Sequence, residues 1–454
     1  MPIFGRRQLQ HTFDDLGPWF SEFKAKDLLN RLENVDPDQA LPAEYELALT
    51  WGVSRTASLE IDRRIGGRTP DIYSADFLLG GPIVADVAAI SDDALSDESV
   101  MMRARNIINN KCNGILKGAG NHLHYTFREE SGYSPADRHS KGRKRYFRRR
   151  RITEEFNMDS ALETALSKWL SGGPPHQALQ WQGEHIDVVI VWQGSVHPQS
   201  SVFCTMPSEA HDLKDNPLYR VLKTKQRQLK GAPEGVRRVI LLGDAGCSLL
   251  RNIRPIGPMF DTVSGQQVIQ SFFADPVNTI DFVIVFTPKH LHESSYVSSN
   301  NPRIWQFDVF YRCSQLPEAE FDRFRALAEA LPSPYLDGYQ ARSWHQQGMF
   351  DPKGRGHYLP LEWSEGPRHA TMRLSARALQ ELIAGRLSKE EFELCTTGKP
   401  NLFALQLAQG RTISSVRFEP KGTNEDDDYV VFEFSDDPAA AKLRLPGSPK
   451  PPPA

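Results

Sequence analysis

The sequence has little cysteine, no long apolar run and almost no net charge. Its five cysteines are widely spaced and form no Cys-x-x-Cys pair, so neither a disulfide framework nor a structural zinc site is expected. No apolar segment approaches the roughly 18 residues that a membrane-spanning helix needs, and the first residues lack the apolar stretch of a secretion signal. We therefore expect a soluble cytoplasmic protein with no membrane partner.

The formal net charge is only −3, so any affinity for nucleic acid must come from a local patch. The segment RHSKGRKRYFRRRRI (138–152) is such a patch, with nine Lys and Arg residues around a Tyr-Phe pair. It is open to two interpretations, a solvated arm or a segment that grips phosphates and stacks its rings on bases. The second interpretation predicts nucleic-acid contacts by Lys141, Arg143, Lys144, Arg145, Tyr146, Arg148, Arg149, Arg150 and Arg151.

The hydrophobic pattern predicts a mixed α/β fold. In AEYELALTWG, the residues Glu44, Leu47, Ala48 and Trp51 fall on one helical face, and Gly52 is expected to end that helix. SLEIDRRI, IYSADFLL and IVADVAAIS are predicted as three strands, with a tight GGP turn between the last two.

Changes in composition along the 454 residues predict several regions, because a domain usually takes about 100–200 residues. Amphipathic helices and a terminal hairpin follow the α/β pattern after about residue 316, and a proline-rich tail ends the chain. The predicted regions are an N-terminal arm (1–40), an α/β core (41–315) with an inserted basic segment at about 119–183, a C-terminal α+β region (316–445) and a disordered tail (446–454).

Two of the apolar runs each carry an aspartate, Asp71 directly at the start of IYSADFLL, one residue before its isoleucine, and Asp86 inside PIVADVAAI. Asp86 lies inside PIVADVAAI, where a buried carboxylate costs several kcal/mol unless it is paired or bound to a metal. Asp71 precedes it by 14 intervening residues, and the tight turn would bring the two side by side. Such a pair suits a hard divalent cation. Taken singly, Asp71 is equally explained as a turn cap and Asp86 as a hydrogen-bonded core residue.

Two lysines are predicted to interrupt buried helical stripes. Lys225 shares the spacing of Leu218, Val221, Leu222 and Leu229, where a lysine needs an anionic partner. Lys111 has the same spacing relative to Ala104, Ile107, Ile108 and Ile115, so it is the alternative lysine. Either side chain is also explained by an alkyl stem that covers apolar surface while the ammonium reaches solvent.

Pro70-Asp71, followed after 14 residues by Asp86-Val87-Ala88 in an apolar strand, resembles the PD-(D/E)XK, or restriction-endonuclease-like, nuclease superfamily. The resemblance implies a mixed sheet flanked by helices. It also implies Mg²⁺ or Mn²⁺ held by Asp71 and Asp86, with the backbone carbonyl of Val87 as a further ligand. Ala88 stands where the family usually has a lysine.

Two further segments match the family. Glu44 corresponds to a glutamate that often lies on the helix before the first strand, and it would orient the attacking water. Some divergent members take their lysine from a helix within K-x-x-Q-L, which the residues from Lys225 to Leu229 match. Lys225 would then stabilise the transition state, and Gln228 would hydrogen-bond the water or the phosphate.

The resemblance therefore implies a metal-dependent nuclease acting on DNA, with a role in restriction or phage defence. One alternative is a catalytically inactive, nuclease-like subunit that binds nucleic acid within a larger complex. Another is a subunit whose C-terminal region docks a partner protein.

Overall fold

The structure is a computed structural model of the chain. Within the residues it describes, no helix combines the length and the apolar character needed to cross a bilayer. Those residues are 3–34, 37–92, 98–133, 146–193, 201–203, 210–251, 253–254, 262–290, 303–312, 316–334, 361–366, 369–385, 388–389, 392, 402–422 and 428–439.

The chain divides into two compact units. Unit 1 comprises Met1–Ala89, Gly231–Ala245 and Asp281–Ala454, and unit 2 comprises Ile90–Lys230 and Gly246–Ile280. The regions predicted from composition stay a prediction, and the predicted tail (446–454) lies outside the described residues.

The described helices are α1 (Arg6–Leu16), α2 (Glu22–Leu32), α3 (Pro37–Thr56), α4 (Glu98–Ile115), α5 (Ser160–Leu170), α6 (Pro217–Leu229), α7 (Ser248–Arg251), α8 (Gly265–Phe273), α9 (Glu318–Ala330), α10 (Ala376–Ile383) and α11 (Leu402–Ala408). The described strands are β1 (Ile72–Leu78), β2 (Gly81–Ile90), β3 (Leu123–Phe127), β4 (Glu129–Tyr133), β5 (Tyr146–Arg150), β6 (Leu179–Gln182), β7 (Asp187–Trp192), β8 (Ser201–Phe203), β9 (Arg237–Asp244), β10 (Phe282–His290), β11 (Arg303–Tyr311), β12 (Leu361–Glu365), β13 (His369–Ser375), β14 (Arg411–Glu419) and β15 (Tyr429–Asp436).

A five-stranded sheet with the order β1-β2-β9-β10-β11 organises unit 1. The β1–β2 and β10–β11 pairs are antiparallel, whereas β9 and β10 are parallel. Helices α1, α2, α3 and α9 share a hydrophobic core with this sheet. The prediction of a mixed α/β fold is therefore confirmed.

Helix α3 lies directly on the sheet. Its Tyr45 ring packs on Gly243 of β9, where any Cβ would come within 2.3 Å of the ring, and the Tyr45 hydroxyl donates to the carbonyl of Asp244. The helix continues past Gly52 to Thr56, so the predicted end at Gly52 is wrong. A Cβ at position 52 would lie 2.8 Å from side-chain carbons of Leu327 and Leu331, which shows that the glycine allows close approach of α9.

The predicted first strand, SLEIDRRI, is also wrong. Residues 58–65 take part only in isolated bridges, with Glu60 opposite Tyr73 and Ile65 opposite Arg68. The hairpin of β1 and β2 is confirmed, with Leu78 opposite Gly81 at its turn. This hairpin sets the position of the two aspartates.

The C-terminal part of unit 1 contains a second, antiparallel sheet with the order β12-β13-β15-β14. Ala370 and Met372 of β13 pack with Phe432 and Phe434 of β15 and with Leu402 of α11. The terminal hairpin predicted from sequence is confirmed by the pairing of β14 with β15.

Unit 2 has its own core, which α4 and α5 form with a four-stranded sheet of the order β6-β7-β3-β8. Leu162 and Leu166 of α5 are fully buried in it, one turn apart, as the amphipathic pattern predicts. The hairpin β4–β5 carries the end of the basic segment.

Candidate functional site

Asp71 and Asp86 come together at the end of the β1–β2 ladder. The last backbone pair joins Ile72 to Ala85, so the register places Asp71 opposite Asp86. Beyond that pair the side chains continue the hydrogen bonding: the N–H of Asp71 donates to Oδ1 of Asp86 (3.1 Å), and the N–H of Val87 donates to Oδ2 of Asp71 (2.8 Å). The two carboxylates are thus held reciprocally, each by backbone belonging to the other strand.

Burial makes this pair electrostatically demanding. Asp86 is only 3% exposed, and the side chain of Asp71 is 20% exposed. Two carboxylates this close, this far from solvent, require positive charge or donors nearby. The two backbone N–H groups supply donors. A lysine outside the predicted site residues supplies positive charge.

That lysine is Lys24, in the first turn of α2. Its ammonium lies 2.6 Å from Oε1 of Glu46, 3.8 Å from Oδ1 of Asp62 and 4.0 Å from Oδ1 of Asp71. Burial alone would lower the pKa of Lys24, but Glu46 foremost, with Asp71 and Asp62, raises that pKa above its ordinary value. Lys24 is therefore charged at neutral pH and belongs electrostatically to the aspartate pair.

Glu46 of α3 joins two cations in this cluster. Its second oxygen, Oε2, accepts a hydrogen bond from Arg31 of α2 at 2.9 Å. Burial alone would raise the pKa of Glu46, but Lys24 and Arg31 outweigh burial and lower that pKa. Glu46 is thus an ionised carboxylate inside the protein, stabilised by one cation on each oxygen.

Glu44, the glutamate selected from the sequence, is buried on another side of α3. Its Oε2 accepts hydrogen bonds from the backbone N–H groups of Ile3 (2.9 Å) and Phe4 (3.2 Å). Two residues advance a helix by about 200°, so Glu44 and Glu46 point in nearly opposite directions. Glu46, and not Glu44, makes the described contacts with the lysine beside Asp71.

Lys225 and Gln228 lie on α6 and belong to unit 2, whereas Asp71 and Asp86 belong to unit 1. Gln226 of α6 is buried, and its side-chain amide donates to the carbonyl of Val277. Lys225 is half-buried and Gln228 is exposed. The catalytic roles of Glu44, Lys225 and Gln228 stay predictions.

The alternative lysine, Lys111, also lies in unit 2, on α4. Its ammonium pairs with Oε1 of Glu163 on α5 at 2.9 Å, and both side chains are more than a third exposed. This is an ordinary surface ion pair between neighbouring helices.

The basic segment is described only at its C-terminal end. Arg149 and Arg151 both bond Glu130, and Arg150 bonds Glu129, across the β4–β5 hairpin. These three arginines therefore have internal carboxylate partners. Lys141, Arg143, Lys144 and Arg145 lie outside the described residues, and of Tyr146 and Arg148 only the backbone of β5 is described.

The chemistry of the aspartate pair fits a hard divalent cation. Mg²⁺ takes one or two carboxylates from a protein and keeps several waters, and Asp71 and Asp86 supply two carboxylates in one place. The described residues, this pair and its neighbours included, contain no group of three or more His, Cys, Asp or Glu side chains suited to a metal. A two-carboxylate site is the most that these ranges offer.

Lys24 and Glu46 were missed although the sequence carried a signal for Lys24. Lys24, Leu28 and Leu32 follow one another at intervals of four, and both leucines are buried, so Lys24 lies on the buried stripe of α2. This is the periodicity that had selected Lys225 and Lys111. The contact of α2 with α3 and Asp71 depends on tertiary packing, which periodicity does not give.

Comparison of the chain with protein-family models, with curated proteins and with solved structures found no match.

Proposed function

We propose that this protein is a metal-dependent nuclease with a restriction-endonuclease-like core that hydrolyses phosphodiester bonds of DNA. The observation that supports it best is the meeting of Asp71 and Asp86 at the end of the β1–β2 ladder, beside Lys24. A role in restriction or phage defence is proposed on the family resemblance alone.

In this proposal, Asp71 and Asp86 hold Mg²⁺ or Mn²⁺, with the carbonyl of Val87 as a further ligand. A bound divalent cation activates water and neutralises charge that develops on the scissile phosphate. The backbone N–H groups of Asp71 and Val87 fix the orientation of the carboxylates before any cation arrives. The basic segment (138–152) contacts the phosphates of the nucleic acid.

Purified protein incubated with plasmid, single-stranded DNA and RNA, in Mg²⁺, Mn²⁺ or EDTA, tests the proposal. Cleavage is expected with either metal and not with EDTA, and Asp86→Asn should reduce it at least about a hundredfold because the proposed ligand set is lost. Asp76→Asn is the matched control, since Asp76 is an exposed carboxylate on the same hairpin that accepts hydrogen bonds from Ser58. Absence of cleavage by wild type on all three substrates would refute the proposal.

The second candidate is a catalytically inactive, nuclease-like subunit that binds nucleic acid. Ala88 in place of the usual lysine favours it, and so does Lys24, because a resident ammonium partly replaces the positive charge of a metal. This candidate predicts that wild type and Asp86→Asn retain DNA equally well in EDTA and that neither cuts it.

A further inference from the structure

We infer that Lys24 is a positioning residue of the proposed site, whose ammonium is the resident counter-ion of Asp71 and gives way when a divalent cation binds. This inference rests on the proposed function, since it assumes that Asp71 and Asp86 take a metal. It makes α2 part of the site through Lys24, which neither the Asp71–Asp86 motif nor the pattern of the strands indicates.

Lys24 lies much closer to Glu46 than to Asp71, so a metal that binds Asp71 would separate Lys24 from Asp71 and leave it paired with Glu46. Its ammonium is in direct contact with Glu46 at 2.6 Å, but lies 4.0 Å from Asp71, at the limit of an ion pair. A cation that binds Asp71 therefore displaces the longest of the three carboxylate contacts of Lys24, the third being Asp62 at 3.8 Å. Glu46 keeps Lys24 close to the site because its other oxygen is anchored by Arg31.

Electrostatics makes the two cations compete. An ammonium and a divalent ion next to the same half-buried carboxylate repel each other, and repulsion between charges about 4 Å apart is considerable where the effective dielectric constant is below that of water. Three carboxylates, those of Glu46, Asp62 and Asp71, share the ammonium of Lys24. Because Lys24 is shared in this way, it is a weak counter-ion of Asp71, and a divalent ion at Asp71 competes with it.

After the metal is bound, Lys24 could also contact the substrate. An ammonium that no longer contacts Asp71 but stays paired with Glu46 remains beside the metal ligands, where its N–H groups can reorient toward another acceptor. The anionic phosphate of a substrate is the natural acceptor. Lys24 would thus oppose metal binding and favour binding of the substrate phosphate, two effects of opposite sign from one side chain.

Binding of Mn²⁺ alone, measured by the paramagnetic resonance of the free ion and by the metal-induced rise in Tm, tests the exchange. Lys24→Met should bind Mn²⁺ about tenfold more tightly than wild type, because the competing charge is gone. It should also gain more Tm on adding the metal, while cleaving DNA more slowly. Lys24→Arg, which keeps the charge, should resemble wild type in affinity. Lys26→Met is the matched control, since it removes an exposed charge from the same helix and should leave the affinity within about twofold of wild type.

The outcomes separate this inference from the proposed function. If wild type binds Mn²⁺ and Asp86→Asn does not, but Lys24→Met binds no more tightly than wild type, the exchange is refuted and the proposed function stands. If Lys24→Met binds Mn²⁺ and wild type does not, the competition is supported and the inactive-core candidate gains. If neither protein binds, both proposals fail. Should Lys24→Met not fold, an equal affinity in Lys24→Gln and wild type would also refute the exchange.

Discussion

Glu46 and Glu130 each hold two cations, but Glu46 does so in the interior of unit 1 and Glu130 on an exposed hairpin of unit 2. Glu46 bonds Lys24 and Arg31 from a side chain that is 11% exposed. Glu130 bonds Arg149 and Arg151, whose side chains are 67% and 39% exposed. The same local chemistry therefore has different consequences. The buried cluster is a fixed part of the fold, whereas water competes for both arginine partners of Glu130.

The largest expected difference between the two is in stability. Glu46→Gln leaves Lys24 and Arg31 with one charged partner fewer in a buried place, and it should lower the free energy of unfolding by about 3 kcal/mol. Glu130→Gln should cause a clearly smaller loss. Urea unfolding of both variants in EDTA measures the contrast. Equal losses of unfolding free energy in the two variants would show that burial does not strengthen the Glu46 ion pairs.

The pH dependence of stability should follow the same contrast. The pKa of Glu46 is lowered in the folded protein, so its stabilisation is complete above the ordinary glutamate pKa of about 4.3 and is lost as the pH falls through the folded value. The difference in unfolding free energy between wild type and Glu46→Gln should therefore be constant from pH 6 to 7 and shrink below about pH 5. Urea titrations at pH 3, 4, 5, 6 and 7 measure it. A difference that grew toward acid would contradict the assignment.

On the β4–β5 hairpin, we expect changes to the arginine–Glu130 pairs to alter nucleic-acid binding. Replacing Arg149 and Arg151 by Ala should weaken DNA retention about tenfold at low salt and reduce the slope of log K against log salt by about 2. Glu130→Gln should strengthen retention, because it removes the negative charge that pairs with both arginines. Fluorescence anisotropy with a labelled duplex in EDTA measures both. Unchanged retention in the double variant would remove these arginines from the proposed interface.

The smallest expected effect is that of salt on folding. The screening length falls from about 10 Å in 0.1 M salt to about 3 Å in 1 M salt, and exposed pairs feel the change most. Any effect of Glu130→Gln on Tm should vanish in 1 M NaCl, whereas that of Glu46→Gln should persist. Thermal melts of the two variants in both salts provide the measurement. Loss of the Glu46→Gln effect in 1 M NaCl would show that water reaches the cluster.

The hairpin that brings Asp71 and Asp86 together was predictable because its determinants are local. Apolar runs of strand length flank a GGP turn, which predicts that the two strands pair. The register beside Asp71 also depends on an irregularity of the pairing between Ser74 and Leu78, which the turn does not set. The starts of α2, α5 and α6 also have local determinants, since Ser21, Asp159 and Asn216 each cap one of these helices with a side-chain oxygen. Local chemistry therefore gave the part of the candidate site that lies on adjacent strands.

The rest of the site depends on packing between distant segments. Gly52 was expected to end α3, yet it is the contact point for Leu327 and Leu331, some 275 residues further along. The choice between Glu44 and Glu46 depends on where residues 3–4 and α2 pack around α3. Neither choice can be made from spacing alone, because α3 is buried on nearly every side between residues 40 and 50.

The reciprocal bonds at the end of the β1–β2 ladder tie the chemistry of the pair to the alignment of the hairpin. A slip of one residue between the strands would carry Asp86 past its partner and turn it to the opposite face, dissolving the pair and leaving the apolar residues misplaced. A misaligned hairpin would therefore lack the carboxylate pair and would also be unstable. Alignment of the two strands and assembly of the pair are one event, because the same register produces both.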